Sequence, residues 1–369
     1  MPRKRHSTSS ARSGLRLLHT ADWHLGHALH DVPRDVEHRR FLDWLLDAID
    51  EHRVDALLVA GDVFDAANPP ARAQEAWFRF LGEARRRFPA LGIVVVGGNH
   101  DSAARLDAPN PVLSAFGVHV VGGVTRGAEG IDFDRLLLAL PRADGTIGAW
   151  VAAVPYLRPC DLPDVAADTG EDPLVAGARA VYAEVVARAA RRAGRGTAVV
   201  AMGHLYLAGG SLSELSERRI LGGNQHALPV DLFPDRVAYA ALGHLHRAQS
   251  VGRPEVRYSG SPIPLSLAER SYAHQVVLVE LAGAGSARVE VLPVPRARDL
   301  VRVPDDGFLP VGDVVRRLGE LAPRTTAEGE PEPLLEGAVR LERPEPALRR
   351  TIEQALEGKG LRLAKISVE

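Results

Sequence analysis

The 369-residue sequence predicts a layered α/β domain followed by a smaller α+β domain. Three observations predict it. From residue 15 to about 264, short apolar runs alternate with amphipathic helical patterns. Five of those runs lead straight into a short polar motif. After Ser261-Pro262 the texture changes and no further ligand-like cluster occurs. Such alternation argues for strands with functional loops at their carboxyl ends, where residues distant in sequence can meet.

The expected strands are 15–19, 56–60, 93–96, 198–201 and 237–242, each followed by one of the motifs. Between them, Phe41, Leu45, Leu46 and Ile49 mark one amphipathic helix. Trp77, Phe78, Leu81 and Ala84 mark a second, and Val181, Tyr182, Val185, Val186 and Ala189 a third. Residues 122–150 read as hairpin and loop, punctuated by Pro141, Gly145 and Gly148. Beyond about 266 the pattern predicts strands at 276–281, 287–292, 337–341 and 361–368, helices at 311–321 and 346–356, and a loop over 322–333. The expected division is a disordered basic tail at 1–14, a catalytic domain at 15–265 and a second domain at 266–369.

Composition narrows the function classes. A chain 46% hydrophobic and 25% charged is ordinary for a globular protein of this length. No apolar stretch reaches the length of a membrane span, and the basic start has no apolar centre, which speaks against a signal peptide. The single cysteine, Cys160, cannot form an internal disulfide; with the missing signal it points to the cytoplasm, as a small buried or half-buried residue. A net charge of −2 lacks the basic excess of a protein that grips duplex DNA unaided. Either the substrate is small, or nucleic acid is held by local arginines, metals and a partner. Arg105, Arg158 and Arg247 stand nearest the motifs.

Seven candidate metal ligands fill the five motifs: Asp22 and His24 in T-A-D-W-H-L-G, Asp62 in V-A-G-D-V-F-D, Asn99 in G-G-N-H-D, His204 in M-G-H-L, and His244 with His246 in G-H-L-H. Carboxylate, imidazole and amide carbonyl together suit a borderline-hard divalent ion, manganese above all. A set of this size can hold two ions sharing one aspartate, the arrangement that clamps a phosphorus centre during displacement. Asp62, expected beside a buried strand end, needs strong compensation for its charge and is the natural bridge. The alternate spacing in D-W-H and H-L-H sends two side chains to one side of an extended segment. His100 would point at the scissile phosphate and protonate a departing alkoxide. Asp101 orients an adjacent group, while Asp65 either caps the next helix or faces substrate. His19, His27, His30, His38, His52, His119, His226 and His274 are expected to be structural or exposed, with His27 and His30 close enough to approach substrate.

These strings resemble the calcineurin-like metallophosphoesterases, and R-Y-S-G-S-P-I-P (257–264) with P-Y-L-R-P (155–159) is similar to their DNA-processing branch. The resemblance implies a metallophosphoesterase sandwich, two sheets flanked by helices, with a C-terminal α+β capping domain that positions duplex DNA. It implies one Mn2+ on Asp22, His24, Asp62 and His246, a second on Asp62, Asn99, His204 and His244, and His100 as the catalytic histidine. It further implies 3′ to 5′ exonuclease and single-strand or hairpin endonuclease activity in DNA repair and recombination. The partner would be an SbcC-type coiled-coil ATPase, in a complex containing a nuclease dimer. Two departures stand out: Asp65, shared with bacterial relatives, where archaeal ones carry histidine, and an end at Glu369 without the helices that in many relatives dock on the ATPase, so that interface is expected to be reduced, rebuilt or absent. The rival expectations are a stand-alone phosphodiesterase for nucleotides or other small phosphoesters, and a non-catalytic scaffold.

Overall fold

The computed structural model describes residues 14–128, 130–142, 144–164, 171–211, 227–285, 287–325 and 329–369. The expected tail, apart from Gly14, and His226 lie outside these residues. The first sheet is built on four parallel strands, β1 (Leu15–Thr20), β2 (Ala56–Ala60), β3 (Gly92–Val96) and β4 (Val118–Val121), in that order. Helices α1 (Asp35–Glu51) and α2 (Ala71–Arg87) form the first two connections. The second sheet contains β5 (Leu137–Pro141), β6 (Ile147–Ala153), β7 (Ala198–His204), β8 (Val237–Gly243), β9 (Gln249–Val251) and β10 (Arg253–Tyr258), in the order β9-β10-β8-β7-β6-β5. Helix α3 (Pro173–Ala193) covers its outer face.

Burial explains why the strands read as continuous apolar runs. Ala56, Leu58, Val94 and Val96 face the core between the two sheets, while Leu57, Val59, Ile93 and Val95 face α1 and α2. Strands covered on both faces show no polar alternation. Trp23 anchors the outer layer, its ring edge-on to Phe41, Trp77 and Phe80 at 5.6, 5.6 and 5.3 Å. On α2 the buried positions are Ala73, Trp77, Phe80, Leu81 and Ala84. Phe78, expected on that face, is instead 45% exposed because it lies one residue around the helix from Trp77. The inner core holds one polar strut: His19 Nδ1 accepts from the Tyr239 hydroxyl at 2.8 Å and Nε2 donates to the Leu242 carbonyl at 3.2 Å. Burial holds that ring neutral by lowering its pKa to about 3.

The hairpin-and-loop expectation for 122–150 holds in the structure, whereas one departure concerns connectivity. Residues 122–150 contain a small hairpin (126–127 with 130–131) followed by the β5–β6 pair, and the helical segments 103–107 and 110–113 precede β4. More consequentially, β11 (Gln275–Leu281) and β12 (Ala287–Pro293) do not open a second domain. They extend the first sheet, β11 pairing antiparallel with β1 and β12 with β11. The first body therefore continues to Pro293, not 265. The change in texture marks a switch to antiparallel pairing with a half-exposed edge strand.

The remaining C-terminal body is a small parallel sheet. β13 (Leu300–Val303), β14 (Leu309–Pro310) and β16 (Arg362–Val368) all pair with the central β15 (Leu334–Arg340), which starts three residues before the expected strand. Helices α4 (Val311–Glu320) and α5 (Leu348–Ala355) close one face over Val314, Leu318, Leu335, Val339 and Ile352. It meets the first body at Leu29, Val32, Leu267, Leu300 and Leu334. Beside that patch, buried Glu37 lies 2.5 Å from Arg34 Nε and 3.0 Å from Arg298 Nε, and Arg34 also donates to the Pro264 carbonyl at 2.7 Å. Among the described residues no helix is long and apolar enough to cross a membrane.

Trp77→Ala is expected to cost about 3–5 kcal/mol by removing an aromatic from a filled core. Phe78→Ala should stay within about 0.5 kcal/mol. Urea denaturation midpoints of the two variants check this, and equal losses would contradict the assignment of faces.

Candidate metal centre

All five motifs lie at carboxyl ends of strands, and the two sheets present those ends to the same place. β1, β2 and β3 deliver Asp22 with His24, Asp62, and Asn99 with His100; β7 ends on His204, and β8 runs into His244 and His246. The backbone there is tightly wound. Asp22, His24, Asp62 and His244 take φ of 54°, 47°, 49° and 101°, a region side chains other than glycine enter only under constraint. Two glycines allow the approach. A Cβ on Gly98 would stand 2.1 Å from Asp62 Oδ1, and one on Gly243 1.9 Å from the Ala60 carbonyl.

The side chains converge. The ligating atoms of Asp22, His24 and His246 lie within 4.8 Å of one another, as do those of Asp22, Asp62 and His204, and those of His24, Asp62 and His100. Asn99 Oδ1 is 2.9 Å from His204 Nε2 and 3.0 Å from His244 Nδ1. Asp62 Oδ2 stands between the two sides, 3.3 Å from His204 Nε2 and 3.5 Å from His24 Nε2. The seven predicted ligands and His100 thus share one site.

Outer contacts aim four of the rings. His24 Nδ1 meets Asp65 Oδ1 at 3.2 Å, His100 Nδ1 the Asp65 carbonyl at 2.8 Å, His204 Nδ1 the Ala60 carbonyl at 2.9 Å and His246 Nδ1 Glu269 Oε1 at 3.1 Å. Oxygens of these kinds only accept, so each Nδ1 donates and Nε2 is the nitrogen each ring leaves for the site. His24 Nε2 is buried without a hydrogen-bond partner, a donor atom that a cation would satisfy. Together with two buried carboxylates and no thiolate, this set fits divalent metal.

Asp65 does not cap α2, which starts only at Ala71; its carboxylate holds His24 and, at 3.0 Å, His27. His27 is bonded through its other nitrogen to the Leu265 carbonyl at 3.0 Å, so it is structural, and His30 lies exposed on the 28–33 hairpin. Asp101 accepts from the backbone N–H groups of Val63, Phe64 and Gly98 at 2.9–3.1 Å, tying the loop after β2 to the loop after β3. Arg158 donates to the Asp101 carbonyl at 3.2 Å, whereas Arg105 is exposed and Arg247 stacks on Tyr272. Cys160 is exposed, contrary to expectation, because it sits in the short 159–161 turn on the surface. Sequence reading did not find Glu269: the string around it carries no ligand pattern.

Without metal the site balances its charge with protons. Burial raises Asp22 to about 6, partly offset by His204 and His246. Burial also pushes Asp62 up, but His204, His24 and His100 outweigh it and hold the carboxyl well below its usual range. His204 is the counterpart: burial lowers it, yet Asp62 and Asp22 bring it up to about 9. Burial keeps His24 and His244 neutral at about 4 and 3.

The calcineurin-like phosphoesterase family matches residues 15–248. The chain is similar to SbcD, the nuclease component of SbcCD, from Rhodobacter capsulatus, 45% identical over 359 residues, covering 96% of this chain and 87% of that protein. It is 38% identical to SbcD of Escherichia coli K12, over 76% of this chain and 68% of that one. The corresponding protein of Bacillus subtilis is 33% identical over 78% and 72%.

Metal uptake should depend on pH in a stated direction. Asp22 with a pKa near 6 and His204 near 9 must both lose protons before they ligate. Apparent divalent-metal affinity of chelator-stripped protein is therefore expected to rise from pH 6 to 9, with protons released on binding. Calorimetry in buffers of different ionisation enthalpy measures both, and a pH-independent affinity would contradict the charge assignment.

Proposed function

This chain belongs to the calcineurin-like phosphoesterase family and, within it, to the SbcD nucleases, and on that premise we propose how its residues cleave DNA. It is a metal-dependent nuclease. We assign Asp22, His24, Asp62 and His246 to one ion and Asp62, Asn99, His204 and His244 to a second, both Mn2+, with Asp62 as the bridge. The observation that carries this reading is the meeting of five strand ends around Asp62. When bound, the pair supplies Lewis-acid charge at the phosphate and a water acidic enough to attack at neutral pH.

The protein's own groups do the rest. His100 is half-buried and its Nδ1 donates to the Asp65 carbonyl at 2.8 Å, so Nε2 is the nitrogen we assign to the substrate. In its doubly protonated form the ring gives the Nε2 proton to the departing sugar oxygen and is left neutral, with Nδ1–H still held by Asp65. Asp62 also accepts the His100 N–H at 2.9 Å, which couples the bridging carboxylate to the catalytic loop. Asp101 and Arg158 stiffen that loop from the far side. The acidic overall charge leaves DNA affinity to local arginines, the metals and a partner.

We further propose 3′ to 5′ exonuclease action on duplex ends and endonuclease action on hairpins and single strands. The enzyme would work in the cytoplasm, as a dimer with an SbcC-type ATPase, and the C-terminal sheet would help position duplex DNA. The small-phosphoester alternative is not favoured, because the similarity to an SbcD nuclease extends over 96% of the chain.

His100→Ala is expected to retain metal and lose about 10²–10⁴-fold in turnover on blunt, hairpin and single-stranded DNA. Unchanged turnover would remove His100 from the reaction. Asp62→Ala should no longer hold a pair of ions, as measured by metal content after gel filtration; two retained ions would contradict the bridge. In parallel assays, faster turnover of cyclic nucleotides than of DNA would overturn the substrate assignment.

A further inference from the structure

We infer that Glu269 is a positioning residue: it fixes the ring of His246 and ties that ligand to the seating of the C-terminal sheet. The inference rests on the two-ion reading above. Glu269 is fully buried in the short helical turn Leu267–Ser271, far from any ligand motif in sequence. Burying a carboxylate is costly, and an apolar side chain would fill the space at less cost. What the carboxylate does is specific. Oε1 receives His246 Nδ1 at 3.1 Å, Oε2 accepts the Leu265 N–H at 2.8 Å, and the Ser266 hydroxyl lies 3.4 Å from Oε1. Because a carboxylate only accepts, the proton of His246 is held on Nδ1 and the Nε2 lone pair is left for metal. The same stretch of chain holds His246 from the backbone as well, since the Ser261 N–H donates to the His246 carbonyl at 3.1 Å.

The turn that carries Glu269 is also where the C-terminal body rests. Leu267 packs with Leu300 of β13 and Leu334 of β15. Arg270 donates to the Asp305 carbonyl at 2.7 Å, and Arg296, in the segment leading to β13, donates to the Arg270 carbonyl at 2.6 Å. His204 and His24 lean instead on Ala60 and Asp65, inside the first body. A displacement of the C-terminal sheet would therefore have a direct route to the metal centre through Glu269 and His246.

The test uses the full chain with Glu269→Ala, Glu269→Gln and Leu267→Ala. Mn2+ binding is followed by calorimetry, Co2+ by its electronic absorption, and folding by circular dichroism and thermal melting. Wild type should take two ions. Glu269→Ala should hold one unchanged and bind the other about 10–100-fold more weakly, the usual cost of losing a group behind a ligand. Its Co2+ spectrum should change for that ion alone. Glu269→Gln, which can still accept from Nδ1, should recover part of the loss, and it decides the question by the same readouts should the alanine variant fail to fold. Leu267→Ala, which touches no ligand, should weaken the same ion by a smaller factor. Folded Glu269 variants with both affinities and spectra unchanged would overturn the positioning role, and an unaffected Leu267→Ala would overturn the tie to the C-terminal sheet. A wild type that holds a single ion would sink the two-ion reading, while the Glu269 variants still judge this inference on that ion.

Discussion

Two carboxylates, Asp22 and Asp62, are buried where the sheets meet, and the surrounding structure is arranged around making that tolerable. A buried anion without compensation costs several kcal/mol, so a fold that places two of them in one cavity must bring cationic charge to them. Here the imidazoles supply it in the metal-free protein, His204 most of all, and a divalent metal replaces those protons. The same residues would destabilise the protein anywhere else in its core. Their position at strand ends lets backbone and ring donors converge without breaking either ladder.

Holding the two sheets at the right height matters as much as the ligands. His19, three residues before Asp22, spans the interface from β1 to Tyr239 and Leu242 on β8, and Leu242 stands two residues before His244. Its neutrality makes it a strut that adds no charge to the core. Asp101 performs a related task between the loops after β2 and β3, with three backbone donors on one carboxylate. The left-handed backbone of Asp22, His24, Asp62 and His244 is sustained by this surrounding order, as strain at a functional site usually is.

The catalytic body was largely legible in the amino-acid order because its signals are local. A strand buried on both faces is a run of Val, Leu and Ala, and each ligand follows its strand within a few residues. Contacts closed by topology were not legible. Glu269 meets His246 across 23 residues, and the Arg34, Glu37 and Arg298 cluster joins segments that carry no motif. Membership of β11 and β12 in the first sheet could not be read either, since a strand pattern does not name its neighbour. Phe78 misled because a helix that buries Trp77 and Phe80 turns the two residues between them, Phe78 and Arg79, outward.

The surface position of Cys160 gives this protein a built-in attachment point. It is the sole thiol of the chain, and it sits two residues from Arg158, whose guanidinium reaches the loop that carries His100. A maleimide fluorophore would therefore label one defined place, two residues from Arg158, without any engineering. Its emission could report arrival of a nucleic-acid end in real time, independently of bond breakage.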